Sequence, residues 1–296
     1  MANLVPVVGG QRRVFCCHRA SLSGRFAPNS LSAIDECLRA AVPRLEIDVR
    51  FLADDAMLIF HDAHFEEDTT GTGPVDALDR SAVRSLRYLK DLSITLCFLE
   101  EVVELMGGAT TVLQVDLKLM RPMTGARLGA LAAALSPMRD RVLIGSQAHW
   151  NLRGLAKLGF RVAIDPTLQW HFAPDRGNGF FPDTTGVYGM WDGSPIAHNR
   201  RFSPEQYFEA RIDDIRGLLP EAEEWMVDIP TIQHMANHSF NLGDALARRG
   251  VSLAAWTLHD IGNADTRAVL DGLFASGVTT VITDDAVPVA EYLGAD

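Results

Sequence analysis

Glu46 and Asp48 stand one residue apart in the run Leu45-Glu46-Ile47-Asp48-Val49-Arg50. Apolar residues alternate with charged ones, which reads as a β-strand. On a strand, side chains at i and i+2 project from the same face. The two carboxylates are therefore neighbours, and they repel each other unless positive charge comes between them. Paired carboxylate oxygens suit a hard divalent cation such as Mg2+ or Ca2+. A second apolar run, Met57-Leu58-Ile59-Phe60, ends on His61-Asp62. A carboxylate pair followed by a strand-end histidine has the makings of a metal-assisted hydrolytic site. This stretch alone also allows a plainer reading, a polar outer face on an edge strand answered by surface arginines.

Other chemistry-bearing residues fall at similar places. The apolar run Arg13–Cys17 ends on His18-Arg19, Thr111–Lys118 carries Asp116 and Lys118 on one face, and Thr280–Thr283 ends on Asp284. Between such runs lie segments of helical periodicity: Leu31 to Ala41, opened by Asn29 or Ser30 as a cap, then Leu99 to Met106, Ala126 to Leu135, Asn151 to Leu158, Pro204 to Leu218 and Ala264 to Ala275. Strands alternating with helices predict a parallel sheet with helical crossovers. The expected fold is an α/β TIM (β/α)8 barrel occupying residues 1–296 as a single domain, a size that suits a barrel of roughly 250 residues. Nine strand candidates are present where a barrel needs eight, so one, such as 225–229, is expected to be short or outside the ring. Residues 62–98 read as a small inserted subdomain after the third strand, with a short helix from Ser81 to Leu89. Residues 170–224 read as a long irregular insertion late in the barrel, rich in aromatic residues including Trp170, His171, Phe172, Phe180, Phe181, Tyr188 and Trp191. A loop of that length is functional, a contact surface or disordered, and a homo-oligomer contact through it is one expectation. His18, Glu46, Asp48, His61, Asp116, Lys118 and Asp284 all fall at or near C-terminal strand ends, the rim on which TIM barrels build active sites.

The totals restrict the function class. The chain has 296 residues, 47% hydrophobic and 22% charged, with a net charge of -11. No basic stripe for nucleic acid is visible. The four cysteines, Cys16, Cys17, Cys37 and Cys97, have no metal-ligand spacing and read as buried free thiols of a reducing compartment. The first ten residues are too short and too weakly apolar for a signal peptide, and no run approaches the ~20 apolar residues of a membrane span. A soluble cytoplasmic protein is expected.

Taken in order, His18-Arg19, Glu46-x-Asp48 and His61-Asp62 resemble the signature of the glycerophosphodiester phosphodiesterase family. Asn29-Ser30, Thr69-Thr70-Gly71-Thr72-Gly73, Asp116-Leu117-Lys118, Trp256-Thr257 and Ile282-Thr283-Asp284 are similar to further blocks of that family, so the resemblance spans nearly the whole chain. It implies a TIM barrel with a small subdomain after the third strand, and metal-dependent hydrolysis of a glycerophosphodiester to glycerol phosphate and an alcohol. It also implies that Glu46, Asp48 and Asp116 bind one divalent cation. Arg19 and Lys118 would then hold phosphate oxygens, Trp256 would wall the substrate pocket, and His18 and His61 would serve as general base and general acid. All-oxygen ligation favours Mg2+ or Ca2+ over zinc.

The chain departs from the family's pattern in a 170–224 insertion that is longer than typical and at four short motifs. Ala20 stands for the usual Gly, Asp116 for the usual Glu, Ala27-Pro28 for Pro-Glu, and Leu258-His259 for the segment that usually carries Asn after Trp-Thr. Two other readings remain at this point. One is a phospholipase D-like enzyme that forms cyclic phosphates from lysolipids. The other is a barrel that binds without catalysis.

Overall fold

The apolar runs form parallel strands that close into a ring. In chain order they are β1 (Val14–Cys17), β2 (Arg44–Phe51), β3 (Val112–Leu117), β4 (Val142–Ser146), β5 (Arg161–Ile164), β6 (Ala222–Asp228), β7 (Ser252–Leu258) and β8 (Thr280–Thr283). Each pairs with its neighbours along the chain, and β8 returns to β1, with Thr280 opposite Val14 and Thr283 opposite Cys17. The computed structural model describes residues 3–173 and 182–294, and over these residues the architecture is a TIM barrel.

The strand 222–228 is a full member of the ring. The ninth strand is instead Met57–Ile59, which folds back antiparallel on β2, with Val49 opposite Ile59. The inserted subdomain thus follows the third strand along the chain, but lies between the second and third strands of the ring. Strand direction leaves no trace in an alternation pattern, which is why the sequence did not separate this strand from the others.

Side chains fill the ring. Cys16, Leu143, Ala163, Met226, Ala254 and Ile282 form its interior. A Cβ on Gly145 would come within 2.2 Å of the Met226 Cε, so glycine at this position makes room for the methionine. At the N-terminal end of the barrel Arg44 donates to Glu224 at 3.1 and 2.6 Å, a buried two-point ion pair closing the floor. A larger apolar core lies between strands and helices. Leu31–Arg39, for example, buries Ala33, Ile34 and Cys37, and its N-cap is Ser30, whose hydroxyl accepts from the Ala33 amide at 3.2 Å.

The subdomain has a core of its own. Phe60, Phe65, Val75, Val83, Tyr88 and Phe98 pack with Ala27 and Leu52 of the barrel side. Its helix stops at Val83, short of the expected Leu89, and Arg87–Tyr88 pairs with Asp91–Thr95 as a hairpin. Burying Tyr88 and bonding the Thr70 and Leu89 amides to the Arg87 and Asp68 carbonyls outweighs the local helical preference.

Within 170–224, Trp170–His171 pairs with Trp191–Asp192, and Pro204–Leu218 is a helix as expected. Asp192 is fully buried and accepts from Tyr207 and Arg211, each at 2.7 Å. Trp170, Tyr188, Tyr207 and Phe208 pack ring against ring, so much of the aromatic content here serves a local core. Phe180 and Phe181 lie outside the described residues. The four cysteines are free and buried, and among the described residues no helix is long and apolar enough to cross a membrane.

Candidate active site

A cleft of about 800 Å³ opens at the C-terminal mouth of the barrel, and His18, Arg19, Glu46, His61, Asp116, Lys118 and Trp256 line it. Asp48 lies directly below, 1% exposed. Every site residue expected from the sequence is therefore brought to one place.

The strands explain the convergence. Glu46 and Asp48 project from the same face of β2, and Asp116 lies opposite Asp48 in the parallel register of β2 with β3. One potential ligand atom from each of Glu46, Asp48 and Asp116 falls in a set spanning at most 4.8 Å. Asp116 therefore reaches the cluster despite its short side chain.

The surroundings sort these charges. Burial pushes the Glu46 carboxyl well above its ordinary range, and Asp48 and Asp116 push it the same way. Burial also acts against Asp48, but Lys118, His61, Arg19 and the Asn29 amide outweigh it and hold this carboxyl down at about 2. Lys118 donates to Asp116 at 2.6 Å and lies 3.1 Å from Asp48 Oδ1. Burial opposes the charge on Lys118, yet Asp116, Asp48 and Glu46 raise its pKa and keep it an ammonium. Arg19 Nε lies 3.5 Å from Asp48, and among the described residues its guanidinium donates no hydrogen bond to the protein, so its fork is free for an anion.

Three carboxylates crowd one point, and burial together with Asp48 and Asp116 works against the charge on Glu46. Asp48 Oδ1 is buried and, among the described residues, accepts no well-formed hydrogen bond, although the Lys118 ammonium lies 3.1 Å away. Mutually repelling carboxylates, all-oxygen donors and an under-used buried oxygen fit a divalent cation of the Mg2+ or Ca2+ type.

Two imidazoles flank the cluster. His61 Nδ1 lies 2.6 Å from Asp62 Oδ1, and Arg50 Nε donates to the His61 carbonyl at 2.7 Å. Burial lowers the His61 pKa, partly offset by Asp48. His18 Nδ1 lies 2.8 Å from Asp284 Oδ1. Arg19 and Ala20 take left-handed backbone with φ of 50° and 55°, and this turn directs the Arg19 amide at Glu46 Oε2, 2.7 Å away. The usual Gly at the position of Ala20 suits the same conformation.

Several members of the site carried little sequence signal. Asn29 looked like a helix cap, yet its side chain donates to Asp48 Oδ2 at 2.8 Å and accepts from the Asp48 amide at 3.1 Å. Its φ of 62°, a conformation Asn tolerates, turns it inward. Asp284 and His259 also line the cleft. Arg50 could have been found, since it continues the i, i+2 face of Glu46 and Asp48. His149, His171, His198, His234 and His238 are not among the residues lining the cleft.

Residues 18–148 match the family model described as the Glycerophosphoryl diester phosphodiesterase family. No curated protein matches the chain. Among solved structures, an Oleispira antarctica phosphodiesterase in complex with the product sn-glycerol-3-phosphate is 15% identical with a TM-score of 0.64, over 98% of this chain and 97% of that one. A glycerophosphodiester phosphodiesterase of Agrobacterium tumefaciens is 20% identical with a TM-score of 0.58, over 93% and 98%. One from Thermotoga maritima is 15% identical with a TM-score of 0.59, over 94% and 97%. At such identities the neighbours establish the shared barrel. The resemblance read from the motifs is borne out over the stretch that carries most of them.

Proposed function

We propose that the chain hydrolyses glycerophosphodiesters to glycerol phosphate and an alcohol with the help of one divalent cation, because residues 18–148, with His18-Arg19, Glu46-x-Asp48 and His61-Asp62 among them, match the model of the glycerophosphoryl diester phosphodiesterase family. The observation that carries this reading is the convergence of Glu46, Asp48 and Asp116 within 4.8 Å on a cleft also lined by His18 and His61.

A phosphodiester is an anion with a poor alkoxide leaving group. Its cleavage needs charge neutralisation, an activated nucleophile and a proton for the departing oxygen. Glu46, Asp48 and Asp116 would hold the cation, Mg2+ or Ca2+, which when bound supplies positive charge to the phosphoryl oxygens. Arg19 grips those oxygens with its free fork, and Lys118 adds a point charge from β3. His18, bonded through Nδ1 to Asp284, turns Nε2 towards the cleft and takes the proton of the attacking oxygen. His61, bonded through Nδ1 to Asp62, gives its Nε2 proton to the leaving alkoxide. Asn29 fixes one oxygen of Asp48 and leaves the other for the cation. Trp256, its indole bonded to the Met226 carbonyl at 3.2 Å, walls the side that receives the organic part of the substrate.

Purified protein incubated with a glycerophosphocholine-type diester and Mg2+ or Ca2+ is expected to release glycerol phosphate, read by phosphorus NMR. The cyclic phosphate as sole and final product would favour the phospholipase D-like reaction. Full turnover by His61→Ala would reject the assigned proton donor.

A further inference from the structure

Asp284 directly follows β8, between the ends of β7 and β1, and its two oxygens have two different partners. Oδ1 lies 2.8 Å from His18 Nδ1 and Oδ2 lies 2.7 Å from His259 Nδ1. The two rings stand 6.5 Å apart at 65°, and both line the cleft, with the His259 side chain 59% exposed. We infer that Asp284 and His259 are positioning residues for this reaction: one carboxylate, clamped between two imidazoles, fixes the ring of the general base and sets a third histidine beside it. The inference rests on the reading of His18 as the base.

Two observations carry it. First, Asp284 does not serve the loop. The neighbours do that: Thr283 Oγ1 donates to the Leu258 carbonyl at 2.8 Å and accepts from the Asp285 amide at 2.9 Å, while Asp285 accepts from the Ile261 amide at 3.3 Å. Among the described residues the only groups within ion-pair range of the Asp284 carboxylate are the two histidines, with Arg19 acting on it from farther off. Second, a carboxylate is acceptor-only, so both rings can present Nδ1–H to it at once. Each neutral ring then carries its lone pair on Nε2, on the far side from Asp284, as a base at this position requires.

The chemistry makes an unusual demand on residue 284. An amide has one acceptor and one donor. Asn at 284 could serve one ring as Asp does, but it would drive the other to carry its proton on Nε2. If that ring is His18, the base is lost. Removing His259 frees the amide to turn its oxygen to His18. The cost of Asp284→Asn therefore depends on whether His259 is present, which no loop-anchoring role would produce.

The test uses the full chain labelled with 15N-histidine, together with steady-state kinetics on a glycerophosphodiester. In the wild type, long-range 15N–1H correlations should show His18 and His259 both protonated on Nδ1. In Asp284→Asn the His18 proton should move to Nε2, and kcat should fall roughly 10²- to 10⁴-fold, the range general-base catalysis supplies. In the His259→Ala background the same change should cost less than about tenfold, with His18 back in its Nδ1–H form. His259→Ala alone should keep the His18 tautomer, which tests the clamp even if the Asp284 variant fails to fold. Unchanged tautomers in Asp284→Asn, or an equal cost in both backgrounds, would overturn the inference. A wild-type chain that cleaves no glycerophosphodiester would reject the base assignment separately, because the spectra report on the clamp with or without turnover.

Discussion

Asp48 stands directly opposite Asp116 in the parallel ladder between β2 and β3. Two carboxylates that face each other across one strand spacing, with Glu46 two residues below on the same face, make a concentration of negative charge that hydrogen bonds alone leave unbalanced. Neighbouring cations settle it unequally, with Asp48 held at about 2 and Glu46 pushed up.

The unequal burial of Asp48 and Asp116, 1% against 29% exposed, predicts unequal contributions to cation binding. Asp48→Asn should weaken Mg2+ or Ca2+ binding by about 100-fold or more. Asp116→Asn, at a position 29% exposed, should weaken it by about tenfold, the lower end of what altered metal surroundings cost. Calorimetric titration measures both. Equal affinity for the wild type and Asp48→Asn would remove Asp48 from the ligand set.

At the other edge of the cleft, His61→Ala should lower kcat by roughly 10²- to 10⁴-fold for diesters with poor alcohol leaving groups. The loss should be much smaller for an activated nitrophenyl ester, which departs without a proton. Asp62 lies 2.6 Å from His61 Nδ1, so Asp62→Asn should act in the same direction by disturbing that ring's tautomer. A loss independent of the leaving group would contradict the donor role.

Asp165 lines the cleft, is buried, and accepts from Thr167 and Gln147, with no cation in ion-pair range among the described residues. Burial pushes its pKa up to about 6, and Asp116 adds to the shift. A folded-state pKa above the unfolded value means that the neutral form favours folding. That contribution is complete below about pH 4 and is lost as pH rises through 6. Asp165→Asn should therefore be more stable than the wild type at pH 8 by up to ~3 kcal/mol, with the difference vanishing near pH 4. Urea unfolding at the two pH values measures this, and a difference that grows towards acid would have the wrong sign.

The buried pair Arg44–Glu224 lies at the N-terminal end of the barrel, away from the cleft. Glu224→Ala should cost about 3–5 kcal/mol of stability, because it strands a buried guanidinium. Below the melting transition kcat should be nearly unchanged. A large loss of kcat in fully folded Glu224→Ala would show that the floor of the barrel bears on the chemistry.

The pairs that a strand's two-residue period fixes were legible in the sequence. Glu46 with Asp48 and Asp116 with Lys118 each share a face by local geometry, and strand ends in an α/β alternation point to one rim. What failed to show depends on partners far along the chain. Asp284 meets His18 across 266 positions, and Asn29 turns to Asp48 only because its backbone is left-handed. His259 resembled any exposed histidine until β7 set it beside β8. The hairpin at 87–95 was hidden for the same reason, since its form depends on the burial of Tyr88 rather than on local spacing.

Release of glycerol phosphate from a glycerophosphodiester, followed before chelation, after it, and on return of Mg2+ or Ca2+, tests the central claim most directly. Turnover should vanish with the chelator and return with the cation in the wild type, and should stay absent in Asp48→Asn at cation levels that saturate the wild type. Undiminished release in the presence of chelator, with Asp48→Asn as active as the wild type, would contradict it.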